Sequence, residues 1–160
     1  MLHEPSAEKG SRTNPLRIAI ASDHAGFRYK ERLRQHLTTL EHHVLDFGTH
    51  SELPVDYPDF VRPAADAVAR GDVDGGIVLG GSGNGEAMCA NRFRGVRCAV
   101  CWSEETARLA RAHNDANMLA LGARLLTEDE VAAIVNVWLT TDFEDGRHVA
   151  RLAKIDHIVG

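Results

Sequence analysis

Short apolar runs of four to six residues alternate with longer amphipathic stretches along almost the whole chain, and few folds accept that pattern. Leu16 to Ala21, His43 to Asp46, Gly76 to Leu79, Arg97 to Cys101 and Met118 to Leu121 read as strands. Between the first two, Tyr29, Leu33, Leu37 and Leu40 form a helical stripe. Phe60, Val61, Ala64, Ala65 and Val68 mark a second helix, with Pro63 as a blemish near its start. A third runs from about Glu86 to Asn91. Ser103 caps a fourth, which carries Glu104 and Glu105 in its first turn. Thr127 and Glu130 form a capping-box pattern ahead of Val131, Ile134, Val135, Trp138 and Leu139. A last, more polar helix is expected over Arg147 to Ile158.

Apolar strands separated by helices belong to a parallel sheet covered on both faces. The expected fold is therefore α/β: a three-layer α/β/α sandwich around a five-stranded parallel, Rossmann-like sheet. A chain of 160 residues buries roughly 70% of its unfolded surface, enough for one self-sufficient domain. That domain is expected over residues 15–160, after a disordered tail over residues 1–14.

The net charge of −5 comes with no long basic run, so nucleic acid and anionic membranes are poor partners. An anionic ligand needs a local cluster of cations. No stretch reaches the ~18 apolar residues of a membrane span. The beginning of the chain, with Glu4 and Glu8, does not read as a secretory signal. Three cysteines, Cys89, Cys98 and Cys101, argue against a disulfide framework and fit a reducing cytosol. Cys98 and Cys101 stand three apart on a strand, so they point to opposite faces and cannot share a metal or a disulfide there. The nine histidines show no metal-ligand spacing.

Ligands of such sheets bind at the carboxyl ends of the strands, which directs attention to a few loops. Gly80-Gly81-Ser82-Gly83-Asn84-Gly85-Glu86 follows strand 3. It is neither a P-loop nor a dinucleotide fingerprint, since no Gly-Lys-Ser/Thr follows and no third glycine is correctly spaced. It is either a tight strand-to-helix turn or a cradle whose N–H groups hold an anion. Glu86 either compensates a helix dipole or acts as a general base beside an oxyanion hole. Asp23 and His24, in Ser22-Asp23-His24-Ala25-Gly26, either cap a helix or orient a hydroxyl and contact an anion. His113, in Arg111-Ala112-His113-Asn114, is either a cation at a helix C-terminus or a proton shuttle. Arg124 follows strand 5, and Arg147, His148 and Arg151 are expected to share one helical face, either solvated or gripping phosphate.

Taken in order, Ser22 to Gly26, Asp56-Tyr57-Pro58, Gly80 to Glu86, Ala90-Asn91, His113-Asn114 and Arg147-His148 with Arg151 resemble type B ribose-5-phosphate isomerase, in the ribose/galactose isomerase family. The resemblance spans about Leu16 to Ile158. It implies a cofactor-free and metal-free aldose-ketose isomerase of the non-oxidative pentose phosphate pathway, a homodimer or tetramer whose sites are completed by the neighbouring subunit. In one branch the base is a cysteine in the glycine loop. Ser82 stands there in this chain, and a serine hydroxyl alone is too weak an acid for that work. The sequence instead resembles the branch whose base is the glutamate four residues on, Glu86.

The implied roles follow. His113 helps open the furanose ring while Asp23 holds a hydroxyl. Glu86 moves a proton from C2 to C1 through a cis-enediolate, and Ser82 passes a proton between the oxygens. Backbone N–H groups of the 82–85 loop stabilise the enediolate oxygen, and Gly81, Gly83, Asn84, Gly85, Tyr57 and Asn114 contact the substrate. His24 and Arg124, with Arg147 and Arg151 from the partner, clamp the phosphate. Isomerases of tetrose or hexose phosphates, such as galactose or allose 6-phosphate, are the neighbouring alternatives. A non-catalytic phosphate-binding module is the alternative from another class, though it would have no use for an acid at position 86.

Overall fold

The computed structural model describes residues 15–157; the tail expected over residues 1–14, and Ile158, lie outside the described residues. The strands are β1 (Arg17–Ser22), β2 (His43–Asp46), β3 (Gly75–Gly80), β4 (Cys98–Val100) and β5 (Met118–Gly122). All pair in parallel, in the order β2-β1-β3-β5-β4. The helices are α1 (Phe27–Thr39), α2 (Pro58–Ala69), α3 (Asn84–Ala90), α4 (Glu104–Asn114), α5 (Glu128–Thr140) and α6 (Arg147–Asp156).

Strand order decides which helix lies where. The steps from β1 to β2 and from β4 to β5 run one way across the sheet, and those from β2 to β3 and β3 to β4 run the other. Right-handed crossovers then put α1 and α4 on one face and α2 and α3 on the opposite face. Packing agrees. Ile18, Ile20, Ile77, Leu79, Leu119 and Leu121 form a core with α1, α4 and α5. Ala19, Ala21, Val78 and Ala120 pack with α2 and α3. On β1 and β3 the larger residues face the first layer and mostly small ones face α2 and α3, with Met118 of β5 the large exception on that side.

Both caps expected from the sequence are present. Thr127 Oγ1 accepts from the Glu130 N–H, and Glu130 Oε2 accepts from the Thr127 N–H. Ser103 makes the same reciprocal pair with Thr106. Pro63 is tolerated on the exposed side of α2, where water can replace the hydrogen bond its ring removes. Most boundaries shift by a residue or so, and two of the shifts have a local cause. The third helix starts at Asn84 rather than Glu86, because Gly83 takes φ +84° and turns the chain straight from strand to helix. β4 is shorter than expected, and at its amino end side chains take over the backbone bonding. Asn117 Oδ1 accepts the Arg97 N–H, and Asn91 bonds both the N–H and the C=O of Cys98. Cys98 and Cys101 belong to the cores on opposite faces of the sheet, as their spacing requires.

Lys30 was not singled out by the sequence pattern. Its side chain is fully buried, and its Nζ lies 2.7 Å from Asp46 Oδ2 and 2.9 Å from Glu31 Oε1. Asp46 Oδ1 in turn accepts the Gly48 N–H at 2.9 Å. This pair ties α1 to the loop that leads to Tyr57. Removing one member of a buried ion pair leaves the other uncompensated, so Lys30→Met is expected to lower the urea-unfolding free energy by about 3 kcal/mol. A loss below about 1 kcal/mol, the value of a surface pair, would contradict this role.

Candidate active site

The strand order reverses direction at β1 and β3, and the crevice of such a sheet lies beyond the carboxyl ends of the strands at that point. Asp23 and His24 follow β1, and the glycine loop follows β3. Asp23 Oδ1 accepts the Gly26 N–H at 3.1 Å, which turns the chain into α1. Its second carboxylate oxygen has no protein partner among the described residues. His24 Nδ1 accepts the Val55 N–H at 3.1 Å. The ring proton of the neutral imidazole is therefore on Nε2, which leaves that nitrogen as a donor for an anion. Arg124 is stapled to the loop, its N–H donating to the Gly81 carbonyl at 3.1 Å. Its guanidinium lies so near Gly81 that a Cβ there would be 3.2 Å from Nη1. Tyr57, at the start of α2, lays its ring against Gly85, where a Cβ would come within 2.5 Å of Cζ.

Glu86 is 3% exposed. Its carboxylate rests on the backbone of Gly80: a Cβ at that glycine would fall 1.8 Å from Oε1. Burial pushes the Glu86 carboxyl above its ordinary pKa; its own backbone N–H pulls it back, and the negative charge of Asp23 pushes it up again. A raised pKa makes the ionised carboxylate a stronger base. Ala87 is the first residue of this turn whose N–H returns to a backbone carbonyl, that of Gly83 at 3.0 Å. The N–H groups of Gly83 and Gly85 before it have no acceptor among the described residues and are free for a ligand or water. Ser82 is exposed, and its Oγ accepts the Asn84 N–H at 3.3 Å.

The remaining candidates do not join this group. α4 leaves the carboxyl end of β4 and carries the chain through 11 residues to the amino end of β5, a path of about 16 Å. His113 and Asn114 therefore stand at the opposite edge of the sheet from Glu86. His113 stacks on His148 with ring centroids 4.5 Å apart, and both reach toward Glu144. Arg147 and Arg151 are exposed beside them on α6. His148 departs from the basic face expected for that helix: it turns inward and is 6% exposed. Burial lowers its pKa first, then the charges of His113, Arg147 and Arg151, against Glu144. Arg111, which shares the His113 segment, is a buried strut bonded to the Thr141 and Ala116 carbonyls and paired with Asp115. A single chain thus carries two separate sets of polar groups, one at each end of its strands.

The sequence pattern of the ribose/galactose isomerase family matches residues 18–155. This chain belongs to that family. It is 42% identical to ribose-5-phosphate isomerase B of Escherichia coli over 142 residues, which cover 89% of this chain and 95% of that one. The solved ribose-5-phosphate isomerase B of Clostridium thermocellum is 45% identical, with a TM-score of 0.87 over 88% of this chain and 95% of its own. The enzyme of Mycoplasma genitalium, solved with bound ribulose-5-phosphate, is 43% identical, with a TM-score of 0.84 over 88% of this chain and 93% of its own. The α/β sandwich expected from the strand-helix alternation is thus the fold of the isomerase family.

In this family member the carboxyl-edge residues named from the sequence come together: Asp23, His24, Tyr57, Gly81 to Glu86 and Arg124. The sequence did not reveal Glu144 or the inward turn of His148, whose partners are distant in the chain. It also gave no reason for a glycine at position 80. Gly80→Ala is expected to displace the Glu86 carboxylate and cut turnover by roughly a hundredfold, the cost of about 1 Å of misplacement. Far-UV circular dichroism should stay unchanged. Full activity in this variant would show that Glu86 need not sit where it does.

Proposed function

We propose that this chain interconverts ribose 5-phosphate and ribulose 5-phosphate, in the cytosol and within the non-oxidative pentose phosphate pathway. The observation that carries the reading is the buried Glu86 carboxylate beside unpaired loop N–H groups, in a chain over 40% identical to ribose-5-phosphate isomerases B. Glu86 removes the proton from C2 of the ring-opened aldose, and the electron pair forms the C1–C2 double bond of an enediolate. The charge that appears on O1 meets the Gly83 and Gly85 N–H groups, which are strongest where charge develops. A proton passes from O2 to O1 by way of Ser82, and Glu86 returns its proton to C1. Asp23 holds a hydroxyl, Tyr57 and Gly81 wall the sugar, and His24 and Arg124 take the phosphate.

His113 assists ring opening, Asn114 binds the sugar, and Arg147 and Arg151 complete the phosphate clamp. Their position at the far edge of the sheet supports a homodimer in which one protomer's amino edge meets the carboxyl edge of its partner. A groove of about 510 Å³ lies along β4, with Asn114 among its lining residues. No metal or cofactor enters these steps.

A panel of four-, five- and six-carbon aldose phosphates tests the substrate, with the five-carbon compound expected to have the highest kcat/KM. Preference for another chain length would move the chain to a sister activity of its family. Glu86→Gln should lower turnover about 10²–10⁴-fold while substrate still binds. The same substitution has a signature in stability. Because the folded pKa of Glu86 is raised, the protonated acid favours the fold, and that contribution is lost as pH rises through the raised value. Gln carries no such loss. The Tm of the variant relative to wild type should therefore climb from acid to alkaline pH. A Tm difference that does not change with pH, together with near-normal turnover, would remove Glu86 from the site.

A further inference from the structure

Three side chains that no isomerisation step uses as a set converge at the amino edge. His113 Nε2 lies 3.6 Å from Glu144 Oε2, and His148 Nε2 lies 3.8 Å from the same oxygen. One donor atom from each residue lies within 4.8 Å of the others. A tetrahedral zinc ion, with bonds of about 2.0–2.2 Å, separates its ligand atoms by roughly 3.3–3.5 Å. The two carboxylate-imidazole separations are within a few tenths of an ångström of that; the rings are stacked 15° from parallel, so binding requires the stack to open and each Nε2 to turn toward the ion.

The backbone that carries the group is held in place. The Glu144 N–H donates to the Ala112 carbonyl at 2.9 Å, which pins the loop before α6 against the end of α4. The His148 N–H donates to the Asp145 carbonyl at 3.1 Å, and its ring is buried against His113. Two imidazoles and one carboxylate with an open fourth position is a donor set that zinc accepts. The negative end of the α4 dipole adds to the attraction. Arg147 and Arg151 oppose it, since both bear on His148. The imidazole ligands select zinc, copper or nickel over magnesium and calcium, which prefer oxygen.

We infer that His113, Glu144 and His148 form a binding site for a late first-row divalent cation, zinc above all, and that its occupancy inhibits the isomerase. Inhibition rests on the role given to His113 above: a metal bound to its Nε2 takes the lone pair that ring opening needs. Binding itself rests on the geometry alone. A chelator then never lowers activity and restores it where adventitious zinc is present.

The test uses the full-length protein freed of metal by chelation and exchanged into metal-free buffer. Cobalt(II) is titrated in while the visible absorption band of tetrahedral cobalt is followed; zinc is then used to displace it, with activity measured in parallel. One equivalent per chain should bind, zinc should abolish most activity, and EDTA should restore it. Glu144→Gln, an exposed change, should weaken cobalt and zinc binding at least about tenfold and make activity resistant to zinc in the same proportion. No stoichiometric cobalt band, or one that Glu144→Gln leaves unchanged, would overturn the site. Stoichiometric binding that depends on Glu144 but leaves activity intact would keep the site. It would overturn the inhibition together with the role of His113 in ring opening.

Discussion

The Glu86 carboxylate lies directly on the backbone of Gly80, and much of the carboxyl edge is arranged around that contact. A charged group can approach the end of a central strand this closely only where the strand offers no side chain. Gly76, Val78 and Gly80 supply a small-residue face on β3, and Ala19, Ala21 and Ala120 continue it on the neighbouring strands. α2 and α3 can then sit close to the sheet. That closeness buries Glu86, and burial raises its pKa. The same short turn through Gly83 that starts α3 also leaves N–H groups unpaired next to the acid. The buried acid and the unpaired donors beside it are therefore products of one packing arrangement.

Crossover direction imposes the second constraint. α4 must return the chain from the carboxyl end of β4 to the amino end of β5, so its last residues cannot be near Glu86 in the same protomer. α6 then packs beside the end of α4, with His148 and Leu152 buried and Arg97 bridging to Asp156. Arg147 and Arg151 remain exposed on its outer side.

Local signals made much of this legible in the sequence. The Thr127–Glu130 and Ser103 caps, the apolar strand runs and the glycine loop each depend on residues within a few positions of one another, so reading them needs no tertiary knowledge. His24, Asp23 and Arg124 could be assigned to one region because strand ends in a parallel sheet converge. The order of the strands was not legible, since β5 inserts between β3 and β4 for reasons of packing across the whole sheet. Nor was the His113–Glu144–His148 group, whose first and last members are 35 positions apart and meet only because α6 folds back on α4. The Lys30–Asp46 pair is likewise tertiary, since it joins α1 to β2.

The division of polar groups between two edges is tested most directly by mixing subunits. One chain carries Glu86→Gln, and the other carries Arg147→Ala with Arg151→Ala. Each homodimer should be nearly inactive. If the site is shared, a heterodimer has one doubly defective site and one intact site. Reassociating equal amounts should then restore about a quarter of the wild-type activity. Activity that stays at the level of the separate homodimers, with heterodimers shown by native mass spectrometry to have formed, would contradict a site built from two protomers.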